Sequence, residues 1–135
     1  MALQLSVTVR NARLDSIETA VGVSAQMKIF TGAMPASCAT ADSGTVLATL
    51  TLPSDWMAAA SAGSKAKSGT WQDASADATG TAGYFRIYDS TGTTCHIQGT
   101  VTATGGGGDM TVDNTSFATG QSFTVNTFTL TDANA

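Results

Sequence analysis

The chain has 135 residues, of which only 12% are charged, with a net charge of −4 and one histidine. That length suits a single domain with its own core. Its six Lys and Arg residues are scattered, so there is no basic stripe for a nucleic-acid backbone, and no apolar run reaches the roughly 18 residues of a membrane span.

Met1–Leu5 reads as a short arm carrying Leu3 and Leu5, and the opening MALQLSVTVRNARLD lacks the order of charge, apolar centre and cleavage site of a signal peptide. Residues 6–21 read as a helix. Val7, Leu14, Ile17 and Val21 form an apolar stripe, with Asn11, Asp15 and Glu18 expected opposite it. Ser6 is the expected N-cap and Gly22 the stop. Arg10 falls within the apolar stripe. Its stem lies on apolar surface with its head in water, or it bridges to another chain. The alternation of Leu3, Leu5, Val7 and Val9 also fits an extended arm, but the helix is the expectation.

From residue 25 onward the pattern is that of strands. Ala25–Thr31 alternates, and a loop, GAMPASCATADSG, follows it. Thr45–Leu52 places Val46, Ala48, Leu50 and Leu52 on one face. Ser54 is expected to cap a helical turn over Asp55–Ala60, and a strand is expected around Lys65–Gln72. Gly83–Asp89 and Thr94–Val101 form a hairpin, with Phe85 and Ile87 on one face and Tyr84, Arg86 and Tyr88 on the other. Gly105–Gly108 reads as a hairpin loop and Asp109–Asp113 as a short strand. Ser122–Thr131 reads as one strand whose parity changes midway, through a bulge near Asn126–Thr127 or through burial on both faces. These elements predict a mainly β, single-domain antiparallel β-sandwich over 25–131, with a jelly roll as one variant, preceded by the helix. The expected core comprises Leu14, Ile17, Met27, Ile29, Leu50, Phe85, Ile87, Ile97, Val101, Val125 and Leu130.

Catalytic patterns find little support. His96 is the only imidazole and is expected to face away from Cys95 and Ile97, so a Cys-His nucleophile pair is not built. No G-x-S-x-G elbow is present. The four glycines before Asp109 lack the Lys-Ser/Thr ending and helix of a phosphate loop. No calcium loop appears, and no aspartate pair stands out by spacing. The expectation is therefore a non-enzyme without cofactor or metal. Cys38 and Cys95 leave two readings open: buried thiols, or a disulfide closing a long loop. Trp56 and Trp71, with Tyr84 and Tyr88, are candidates to stack on a glycan or meet a partner; packing in the core is the alternative.

Several segments resemble a family of small virion structural proteins of tailed bacteriophages and prophages. They are RNARLDSIET (Arg10–Thr19), KIFTGAMPASC (Lys28–Cys38), LATLTLPSDWM (Leu47–Met57), TAGYFRIYDSTGTTCHIQGTV (Thr81–Val101), GGGGDMTVDNTSF (Gly105–Phe117) and FTVNTFTLT (Phe123–Thr131). The resemblance runs nearly end to end and implies a virion component, made in the host cytoplasm; the expected partners are other virion proteins and further copies of the chain, and neither nucleic acid nor membrane is expected from the charge and apolar patterns. A capsid decoration, or cement, protein is the leading expectation. A neck, collar or tail-associated protein and a carbohydrate-binding adhesin are the alternatives. In each case Leu3, Leu5 and Arg10 are the candidate assembly contacts.

Overall fold

The structure is a computed structural model that describes residues 3–133. It is mainly β and sandwich-like, with one amino-terminal helix. Helix α1 spans Val7–Val21. Ser6 caps it, its Oγ accepting from the Val9 N–H at 3.3 Å. Gly22 ends it at φ 92°, with its own N–H returning to Glu18 O at 2.9 Å.

The principal sheet takes the order β2-β1-β5-β6-β7, from Val46–Thr51, Gln26–Thr31, Gly80–Tyr88, Cys95–Ala103 and Met110–Val112. All its pairs are antiparallel except β6 with β7. Two ribbons lie outside this sheet. The first pairs β3 (Ser64–Ala66) with β10 (Thr129–Thr131), and the second pairs β4 (Trp71–Asp73) with β9 (Phe123–Val125). The short β8 (Ser116–Phe117) adds to the start of β5.

The larger core lies on the inner face of the sheet. Met27, Ile29, Leu50, Phe85, Ile87 and Val101 meet Trp56, Trp71, Phe123, Val125 and Phe128 there. Phe85 meets Phe128 edge to face at 5.6 Å, and Trp71 packs on Phe128 at 5.2 Å. Leu14 is buried as expected, while Ile17, Ile97 and Leu130 are only half-buried. A smaller cluster of Phe30, Tyr84 and Tyr88 occupies the outer face, with Phe30 stacked flat on Tyr84 at 4.7 Å.

Bulges explain where the expected faces fail. β1 and β2 slip register between Ile29 and Phe30, so Ile29 opposes Ala48 and Phe30 opposes Val46. Leu47 is the extra residue and turns into the core, leaving Val46 against the outer cluster. A second slip, between Ile87 and Tyr88, leaves His96 as the extra residue of β6. Cys95 consequently joins the outer face and Ile97 the inner one, correcting their expected shared face.

Other departures follow from local packing. Asp55–Ala60 is not helical, and its backbone instead meets α1 and β3. The piece expected over Lys65–Gln72 divides into β3 and β4, and Ser122–Thr131 divides into β9 and β10, each half serving a different ribbon. The four glycines connect parallel strands, not a hairpin. They double back over Thr102, whose side chain lies within 3 Å of where a Cβ on Gly106 or Gly108 would sit.

Candidate functional site

Three regions gather polar side chains, and the first holds the helix to the sandwich. Asn11, Asp15 and Glu18 do not lie opposite the apolar stripe. Steps of three and four residues keep them beside Leu14 and Val21 on the docking side. Their side chains accept from backbone N–H groups of the irregular segment: Gly63 to Asn11 at 2.9 Å, Ala60 to Asp15 at 2.9 Å, and Met57 to Glu18 at 3.4 Å. Lys65, 2% exposed, sends its ammonium to Asp15 at 2.7 Å, Glu18 at 2.9 Å and Ala58 O at 2.8 Å. Burial pulls the Lys65 pKa down, but its bonds to the two carboxylates outweigh that and raise it. The Lys65 bond, then the Ala60 N–H, hold Asp15 below the ordinary carboxylate range. A cleft of about 560 Å³ opens beside this network, lined by Glu18, Val23, Asp55 and Met57 among others. All three ammonium hydrogens already have acceptors, so Lys65 is a fastener here and not a free cation for a ligand.

The second region is the outer face and the loop that covers it. Thr31 N–H bonds Thr45 O at 3.0 Å and closes the neck of loop 32–44. Gly44 at φ 80° and the close approach of Gly32 O to Gly83 permit this neck, since a Cβ at either glycine would strike backbone. The loop then folds down on the sheet as a compact Ω-type turn. Arg86, 2% exposed, donates to Ser37 O at 3.1 Å, Thr40 O at 2.8 Å and Gln98 Oε1 at 3.2 Å. Gln98 reaches Pro35 O at 2.8 Å, and the Tyr84 hydroxyl donates to Ser43 O at 2.6 Å. Tyr88 donates to Asp42 at 3.3 Å, and burial pushes its phenol up to about 12. Cys38, at the middle of the loop, brings its Sγ to 2.9 Å from that of Cys95 on β6; both are free thiols. Sequence reasoning named the two cysteines but missed Arg86, the residue that draws the loop's carbonyls together. A lone arginine in an alternating strand was the available signal.

The third region is the amino-terminal edge. Leu3 is 83% exposed, Val7 46% and Val9 44%. Leu5 is half-buried. Arg10, expected to lay its stem on apolar surface with its head in water or to bridge to another chain, bonds Asp132 O of its own chain at 3.1 Å, beside the Arg13–Asp132 ion pair at 3.2 Å. It ties the helix to the end of the sandwich. Met1 and Ala2 of the expected arm lie outside the described residues.

Trp56 and Trp71 are both wholly buried, and their indole N–H groups bond Gly22 O and Ser68 O. Neither offers a ring face to a sugar. His96 is exposed, and among the described residues no three His, Cys, Asp or Glu side chains gather to hold a metal ion. A groove of about 310 Å³ between β7 and β9 is lined by hydroxyls and amides, including Thr111, Asn114, Ser122 and Asn126. No protein-family model, curated protein or solved structure matches the chain.

Proposed function

We propose that this chain is a virion structural protein of a tailed bacteriophage or prophage, and specifically a capsid decoration protein. It would bind the assembled head in many copies and stabilise it because it binds that state alone. The observation that carries the reading is the run of exposed apolar side chains Leu3, Val7 and Val9. They stand on the arm and the first helical turn, with Val7 and Val9 turned to different sides of the helix, where the rest of the molecule leaves them in water. Such a surface suits a permanent partner, either another virion protein or a second copy. The resemblance read in the sequence segments from Arg10–Thr19 to Phe123–Thr131 supplies the setting.

The carbohydrate-binding alternative loses its two best aromatic candidates to the core. A neck, collar or tail position shares the same surface and is separated from decoration by stoichiometry. Counting copies in purified particles distinguishes them: on the order of hundreds for a shell protein and a dozen or fewer for a connector, following the symmetry of each assembly. The double substitution Leu3→Asp with Val7→Asp tests the surface itself. A carboxylate at position 7, in the first turn, is favourable for the helix, and Leu3 lies ahead of the helix in water, so the fold is retained while incorporation into particles falls. Incorporation at wild-type occupancy would remove the amino-terminal edge from the assembly contact.

A further inference from the structure

We propose that Cys38 and Cys95 form a disulfide that locks loop 32–44 over the outer face of the sheet, with a small-molecule disulfide such as oxidised glutathione as oxidant. The two sulfurs already lie 2.9 Å apart, brought together from sequence positions on different elements. Neither position is accidental. The bulge at His96 turns Cys95 to the outer face, and the Arg86 bonds to Ser37 O and Thr40 O bracket Cys38 on either side. The loop is thus presented to the sheet with its one thiol over the other.

A cleft of about 230 Å³ opens on the pair, lined by Thr40, Asp42, Arg86, Tyr88 and Thr93 besides the cysteines. It gives a small oxidant a route to the sulfurs. Cys38, carried on the loop residues that line this cleft, makes the first attack. Its thiolate displaces one glutathione thiolate and forms a mixed disulfide. Cys95 then loses its proton and attacks the Cys38 sulfur, releasing the second glutathione. Two thiols are oxidised to one disulfide, and one glutathione disulfide is reduced to two thiols. Once formed, the bond adds a covalent tie to a loop otherwise held at its neck and by hydrogen bonds. In a reducing cytoplasm the loop remains unlocked, and in an oxidising medium it is fixed.

The test uses the purified full-length chain in solution, so it does not depend on any virion role. Reduced protein is incubated with oxidised glutathione, denatured without reductant and labelled at thiols. No label and the loss of two hydrogens per chain are expected. Amide exchange across residues 33–43 should slow by roughly tenfold or more relative to the reduced protein. Cys38→Ser and Cys95→Ser proteins should exchange alike with and without oxidant. Two labelled thiols after incubation, a persisting glutathione adduct, or a bond formed without slower loop exchange would each overturn the proposal.

Discussion

Lys65 lies between two acidic side chains of a helix that has few apolar contacts, and this ties the docking of α1 to charge. Replacing Lys65 with Ala should destabilise the protein by on the order of 2 kcal/mol, the scale of a buried hydrogen bond to a charged group, read from urea midpoints. The direction of the pKa shifts sets the pH response. Asp15 is lowered chiefly by the Lys65 bond, Asp89 by the Thr91 hydroxyl, and Asp109 by the Thr100 N–H and hydroxyl. Their contributions are full above the ordinary carboxylate value of about 4 and are lost as pH falls through their lower folded values. Lys65 is raised, so its contribution is full below about 10.4 and is lost as pH climbs through its folded value. Stability measured against pH should therefore be level through neutrality and fall at both ends, with the alkaline loss reduced in Lys65→Ala. The helix wheel located α1 correctly but not the role of Asn11, Asp15 and Glu18. Their partners are unpaired N–H groups of an irregular segment, and nothing in the sequence of 57–63 announces them.

The strands were legible wherever alternation ran unbroken, as in β1 from Met27 to Phe30 and in β5 from Tyr84 to Tyr88. They were misread where a single extra residue changed the face. Leu47 and His96 look like ordinary members of alternating runs, and only the opposing register makes them bulges. The division of Ser122–Thr131 was visible as a parity change, but a bulge and a break give the same pattern. Phe128, at that break, packs against both Trp71 and Phe85. Phe128→Ala should cost roughly 3–5 kcal/mol, whereas Leu130→Ala, at a half-buried site, should cost clearly less in the same denaturation experiment. Gly83→Ala places a methyl group against the backbone carbonyl of Gly32. It should lower stability by about 1–3 kcal/mol, the usual range for overpacking, and should speed amide exchange in loop 32–44. A stability change without faster loop exchange would separate the sheet from its cover. Among the candidate site residues, the cysteines could be found by type alone, and the tryptophans could not be placed because large aromatics serve cores and surfaces equally well.

At the scale of the whole molecule, alternation and turn chemistry sufficed for the class of fold, while the ribbons and the parallel β7 were beyond them. Those features depend on which strand meets which, and pairing is a property of the assembled chain. The covered outer face makes a further prediction. Arg86→Met should leave the inner core in place but release the loop carbonyls, so proteolysis within 33–43 should quicken much more than global unfolding does. The strand order also carries a temporal meaning. β1 sits between β2 and β5, yet the segment 52–79 separates those two partners in the chain. During synthesis at about 5–20 residues per second, β1 and β2 emerge as a hairpin that waits seconds for its other edge to be covered. The ribbons wait longer still, because β9 and β10 return to β4 and β3 from the far end of the sequence. A nascent chain therefore exposes the Trp56 and Trp71 side of its core until residues 123–131 have left the ribosome.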